Sequence, residues 1–209
     1  ETTALGFVAG FTGKAIEDGL AAQGIHTDFI HLPEGNSRIN VKVKHGDETE
    51  INGQGPVITE EAINELFAKL ATLTKEDILV LAGSIPNTLP EDIYEKILAR
   101  LESKGIRVVV DATKDLLLNV LKYHPFLIKP NNHELGEMFG IVCKTDEDIV
   151  HYAKKLQEKG AVNVLISMAG DGAILITEDG QNIKMGTPKG KVVNSVGAGD
   201  SMVAGFITG

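Results

Sequence analysis

Residues 194–206 read NSVGAGDSMVAGF, with Gly197, Ala198 and Gly199 directly before Asp200 and an apolar run after it. Small residues let a backbone come close to a ligand. The first turn of a helix adds N–H groups without intrahelical partners and the positive end of the helix dipole, so an anion can rest there. Asp200 then has two readings: the N-cap of the helix, or a carboxylate facing whatever is bound. A cap does not require Gly-Ala-Gly in front of it. Phosphoryl transfer to an alcohol joins both features, because it needs an oriented hydroxyl, stabilised charge and a proton acceptor. The helix dipole favours the aspartate anion, which makes it a weak base toward an unactivated alcohol. Its expected task is to align the hydroxyl and accept the proton late. That division of labour suits a kinase better than a hydrolase.

The common phosphate motifs fail. A P-loop needs two glycines with four residues between them, the second followed by Lys and Ser/Thr, and GTPKGK (186–191) has the wrong spacing and no hydroxyl. A dinucleotide fingerprint needs a third glycine where GAGDSM carries Met202.

The elements that must position these residues are short apolar runs alternating with amphipathic segments. ILVLAG (78–83), RVVVDA (107–112), FLIKPN (126–131) and NVLISM (163–168) predict parallel strands buried on both faces. Helices are predicted between them. One runs after Thr59, with the stripe Ile63, Leu66, Phe67 and Leu70; one lies between Pro90 and Gly105; one runs from the cap Thr145 to Gly160. This alternation predicts a doubly wound α/β sheet. Ser84, Asp111, the run Lys129-Pro130-Asn131, and Ser167 end the buried strands, and ligands bind at the carboxyl edge of such sheets. DFIHL (28–32), SRINVKVKH (37–45) and ETEING (48–53) instead alternate apolar and polar residues, which predicts strands with one wet face in a hairpin or meander. Such a flap serves as a lid, or as an edge extension or dimer contact.

The totals set limits. With 209 residues, 43% of them hydrophobic, the chain can bury one α/β core with a small appendage. A formal net charge of −9 argues against nucleic acid and anionic membrane surfaces as partners. The apolar runs are too short to span a membrane. The single Cys143 excludes an internal disulfide and fits a reducing, cytoplasmic setting. The six histidines show no metal-ligand spacing. Both ends look cut, because the chain opens at Glu1 and stops about two turns into its last predicted helix.

Together, NSVGAGDSMVAGF, IKPNNHEL and LAGSIP resemble the PfkB (ribokinase-like) carbohydrate kinases, specifically their phosphosugar branch. The form SVGAGDSMVAG is similar to that of kinases acting on fructose 1-phosphate and tagatose 6-phosphate. The resemblance covers essentially the whole chain and implies a three-layer α/β/α fold with a doubly wound, mostly parallel sheet and a small antiparallel β lid. Residues 1–26 would be part of the core, 27–52 the lid, and 53–209 the core that binds nucleotide. ATP and Mg2+ are implied as cofactors, a sugar phosphate as substrate, and a homodimer through the lid as an assembly. Asp200 would be the catalytic base, with Gly197, Ala198 and Gly199 as the anion hole. Asn131 and Glu134 match the family's Asn-x-x-Glu motif, which organises magnesium and phosphates largely through water; the alternative is a helix start with Asn132 as cap. Lys129 and the segment Ser167, Met168, Ala169, Gly170, Asp171 and Gly172 would line the ATP site, although a Gly-rich hairpin turn would look the same. Arg38, Asn40 and Ser84 match sugar-phosphate contacts. Family members also carry an upstream Gly-Gly-rich sugar-binding segment and C-terminal helices that have no counterpart in these residues. A catalytically silent sensor on the same fold and a nicotinamide-dependent dehydrogenase are the readings from other classes.

Overall fold

The computed structural model describes every residue except Gly46, Ser84, Asn87, Thr113, Val193 and Asn194, and the side chains at 44, 45, 47–50 and 114 are also left undescribed. The chain divides into two compact units, Glu1–Leu73 with Ile85–Ile93, and Thr74–Ser84 with Tyr94–Gly209.

The first unit contains β1 (Thr3–Ala4), β2 (Phe7–Val8), α1 (Gly10–Ala21), β3 (His26–Thr27), β4 (Ile30–His31), β5 (Asn40–His45), β6 (Asp47–Asn52) and α2 (Glu60–Leu70). Pairs β1–β3 and β2–β4 are parallel, and β5–β6 is an antiparallel hairpin. Residues 28–32 therefore do not belong to the wet-faced meander predicted for them. Ile30 and Leu32 are buried, and β4 pairs with β2 in the register Phe7↔Ile30 and Val8↔His31. Alternation in DFIHL reports one buried face, but it is silent on which strand lies alongside. In α2 the Thr59 side chain accepts from the Ala62 N–H, as the cap prediction requires.

The second unit contains β7 (Ile78–Ala82), α3 (Ile93–Leu101, in this unit from Tyr94), β8 (Arg107–Asp111), α4 (Lys114–Val120), β9 (Leu127–Ile128), α5 (Asn132–Phe139), α6 (Asp146–Glu158), β10 (Asn163–Ser167), β11 (Ala173–Ile176), β12 (Asn182–Met185) and α7 (Ala198–Thr208). Its sheet has six strands in the order β12-β11-β10-β9-β8-β7. β7 to β10 run parallel, and β11 and β12 extend the sheet antiparallel. Of the run FLIKPN only Leu127 and Ile128 form ladder, because Pro130 cannot donate to it.

Val109, Leu127 and Leu165 point to one face, where Val203 of α7 joins them in a buried cluster flanked by Phe126 and Phe206. By strand alternation Val108, Val110, Ile128, Val164 and Ile166 point the other way, and all five are buried. The sheet is covered on both faces, which is why its strands read as continuous apolar runs. Gly105 ends the α3 segment in the left-handed region (φ 67°), as a C-terminal glycine is expected to. Thr145 caps α6 in a reciprocal capping box with Asp148.

Candidate active site

The carboxyl edge of the second unit's sheet gathers the predicted polar residues. Asp111 ends β8, Lys129 follows β9, and Ser167 ends β10. Past the ladder, Asn131 and Ser167 form an isolated parallel bridge, and the Ser167 N–H donates to the Pro130 carbonyl at 3.2 Å. Asn131 is thereby brought beside the start of the 167–172 segment.

Lys129 is only 8% exposed. Its Nζ lies 3.2 Å from Asp111 Oδ1. Close by, Tyr94 Oη donates to the carbonyls of Ala82 (3.1 Å) and Gly83 (3.3 Å) at the end of β7. Burial, and secondarily the Asp111 carboxylate, pushes the Tyr94 phenol above its ordinary range, so it remains a donor. Asp111 and Tyr94 were not assigned a role by sequence reasoning. An acid ending a buried strand one position along the sheet from Lys129 was the available signal.

The GAGD turn resolves into two glycines with different tasks. Gly197 is the N-cap of α7 and adopts φ +79°, with nothing within 4 Å of where a Cβ would stand. It is there for backbone conformation. Gly199 is helical, and a Cβ on it would meet Lys129 Nζ at 3.0 Å, so it is there for room. The Ala198 N–H donates to the Ser195 carbonyl (3.2 Å), and the Ser201 N–H closes the first helical bond to Gly197 O (2.9 Å). The amides of Gly199 and Asp200 are left as first-turn donors without an intrahelical acceptor. Asp200 is not the cap: it stands exposed on the first turn and makes no side-chain capping bond. The apolar run after it, through Val203 and Phe206, seats the helix on the sheet, with Phe206 stacked 6.0 Å from Phe126.

Asn131, rather than Asn132, is the N-cap of α5. Its Oδ1 accepts from the N–H groups of His133 (2.9 Å) and Glu134 (2.8 Å), and Glu134 Oε2 accepts from the Asn131 N–H at 2.8 Å. Glu134 stands three residues after Asn131 and closes the capping box there, whereas a cap at Asn132 would put the apolar Leu135 at that place. Among the described residues no group of three or more His, Cys, Asp or Glu is gathered to hold a metal ion.

Ser167, Met168, Ala169, Gly170, Asp171 and Gly172 form the connection of the β10–β11 hairpin, in which Ser167 pairs with Ala173. The Met168 N–H donates to Gly172 O at 2.8 Å, and a one-turn 3-10 helix spans Ala169–Asp171. Gly172 (φ +90°) lies so close to the Met185 carbonyl that a Cβ would strike it at 2.0 Å. Ala169 also takes a positive φ of 47°, without a glycine to relieve it.

In the first unit, Arg38 and Asn40 stand exposed at the entry to β5. The residue before them is latched: buried Ser37 accepts from the Ala9 N–H through Oγ (3.0 Å), donates its own N–H to Ala9 O (2.9 Å), and accepts from Thr12 Oγ1 at its carbonyl (2.8 Å). Sequence reasoning missed this latch. Ser84 lies outside the described residues.

Comparison with known proteins gives the family of the chain. The profile of the pfkB family carbohydrate kinases matches residues 1–209. The chain is 52% identical over 206 residues to the 1-phosphofructokinase of Bacillus subtilis (strain 168), covering 99% of this chain and 67% of that protein. It is 38% identical over 208 residues to a D-tagatose-1-phosphate kinase of Bacillus licheniformis, covering 99% and 68%. A crystal structure from Staphylococcus aureus, described as a candidate phosphofructokinase, superposes with a TM-score of 0.89 at 47% identity, over 100% of this chain and 68% of that one. No helix among the described residues is long and apolar enough to cross a membrane.

Proposed function

Because the chain belongs to the pfkB family of carbohydrate kinases, we propose that it transfers the terminal phosphoryl group of ATP to a hydroxyl of a ketose phosphate, with fructose 1-phosphate as the first choice. It is a phosphotransferase with an alcohol acceptor on a ribokinase-like α/β fold. The observation that carries the substrate choice is the 52% identity to a 1-phosphofructokinase. In that reaction the C6 hydroxyl oxygen bonds to phosphorus, the bond to ADP breaks, and fructose 1,6-bisphosphate forms. Tagatose 6-phosphate is the alternative read from the motif. The relative named D-tagatose-1-phosphate kinase keeps a tagatose phosphate in contention and favours a phosphate already at C1.

Roles follow from the site. Asp200 stands on the first turn of α7 without a capping bond, which suits a carboxylate that aligns the acceptor hydroxyl and takes its proton as the new P–O bond forms. With the Ala198 amide already bonded to Ser195, the donors that support the anion hole in the GAGD turn are the amides of Gly199 and Asp200. Lys129 adds a cation against the same turn, and the Ser167–Gly172 hairpin lines the nucleotide side. The donor set leaves Glu134 Oε1 for the Mg2+ waters, since Asn131 Oδ1 and Glu134 Oε2 are engaged in the cap that fixes the pair, and a small hard cation keeps several waters and needs few carboxylates. That oxygen would hold the waters, and the ion would neutralise charge on the phosphates. Arg38 and Asn40, at the entry to the β5–β6 hairpin that would serve as the lid, would hold the phosphate already on the sugar, for which a guanidinium fork is well shaped.

The lid also supports a homodimer. Ile39, Val41, Val43 and Ile51 are exposed large hydrophobics, and Val41 and Ile51 are direct partners across β5–β6. An apolar stripe of this kind on a two-stranded hairpin fits a second copy of the same hairpin. Use of ATP and a lone cysteine fit a cytoplasmic place.

The deciding assay measures ADP release by the full-length protein against a panel of hexose phosphates. Turnover with fructose 1-phosphate above all others is the expected result. Binding of sugar phosphate and nucleotide without turnover would favour a silent sensor, against which the intact Asp200, Asn131 and Glu134 already count.

A further inference from the structure

We infer that Asp111 is a positioning residue for phosphoryl transfer, acting through Lys129 to hold an ammonium group against the first turn of α7. This rests on the kinase reading above and adds to it a residue that the motifs do not mark. A lysine side chain has four rotatable bonds, and its charge wanders unless something fixes it. Here the stem is buried and the ammonium stops at Asp111 Oδ1, 3.2 Å away. Asp111 is itself fixed, being the last residue of β8, paired with Ala82 of β7. A single carboxylate contact leaves donor capacity on an ammonium that carries three N–H groups.

Gly199 supplies the second, independent observation. Its backbone is helical, so left-handed geometry does not call for glycine. Glycine is a poorer helix former than alanine. What offsets that cost is space, since Lys129 Nζ lies 3.0 Å from where a Cβ would be. Lys129 Nζ therefore stands against Gly199, in the turn whose open amides, those of Gly199 and Asp200, are proposed to receive the transferring phosphoryl group. Asp111 sets how high the cation stands beneath that turn.

The test uses the full-length protein and five forms: wild type, Asp111→Asn, Asp111→Glu, Lys129→Met, and the Asp111→Asn/Lys129→Met double variant. Both Asp111 variants should lower kcat by ~10-fold or more while the KM for the sugar phosphate stays within about twofold. Lys129→Met should lose at least as much, and the double variant should be no worse than Lys129→Met alone, because Asp111 has no effect except through the lysine. Losses that multiply in the double variant, or an Asp111→Glu enzyme with wild-type kcat, would overturn the inference. Urea unfolding of the same proteins reads the pair without turnover. Lys129→Met should restore part of the midpoint lost in Asp111→Asn, by removing a buried cation left without its partner. If Asp111→Asn does not fold, Asp111→Glu carries the kinetic test. A wild type that turns over no hexose phosphate sinks the kinase reading before any variant is compared; the pair is then judged by unfolding, where an unchanged midpoint on losing Asp111 rejects it.

Discussion

Asn131 and Glu134 cap one helix in both directions: the Asn131 side chain accepts from the Glu134 N–H at 2.8 Å, and the Glu134 carboxylate accepts from the Asn131 N–H at 2.8 Å. The carboxylate proposed to hold the waters of magnesium is thus preorganised by the start of α5. Cap and metal roles separate by substitution. Glu134→Gln keeps an oxygen for the Asn131 N–H and should leave thermal stability near wild type, while kcat falls and the activity curve moves to higher free magnesium. Glu134→Ala should in addition lose ~1 kcal/mol of stability with the cap. Magnesium titrations at fixed ATP that superimpose for wild type and Glu134→Gln would leave Glu134 with the cap alone.

Asp200 makes no capping bond, so its removal should be felt in chemistry rather than in folding. Asp200→Ala is expected to reduce kcat by ~1000-fold with ATP affinity nearly unchanged. Its stability should stay within ~1 kcal/mol of wild type, the scale of a first-turn acid on the helix dipole. Turnover near wild type would remove it from the base role.

Gly197 has free space around its missing Cβ but sits at φ +79°. Gly197→Ala should therefore cost ~1–2 kcal/mol of unfolding free energy through backbone strain, not through a clash. Gly197→Asn should lose less, since asparagine tolerates the left-handed region. Equal losses in chemical denaturation would show that something other than φ governs this position.

Arg38 follows the latched Ser37 and stands exposed at the entry to the β5–β6 hairpin. Arg38→Ala should raise the KM for the sugar phosphate ~10-fold or more and leave the KM for ATP largely alone. A parallel rise in both constants, seen in initial-rate kinetics, would point to a general part in lid closure instead.

The sequence by itself determined the buried parallel strands, the caps at Thr59 and Thr145, the glycine after α3, and a helix opening on GAGD at the carboxyl edge of the sheet. These depend on residues within one or two turns of each other: strand burial is written in unbroken Val/Ile/Leu runs, and a cap in a hydroxyl placed before an acidic first turn. Tertiary structure alone decided the rest. That β4 lies along β2 rather than in the hairpin depends on hydrogen bonds between segments distant in the chain, and either pairing satisfies the same alternation. That the two glycines of GAGD do different work depends on where Lys129 ends, because a glycine chosen for φ and a glycine chosen for space are the same letter. The contact between Asp111 and Lys129 likewise arises only when β8 and β9 pair, since the residues that terminate neighbouring strands meet through the ladder and not through the chain.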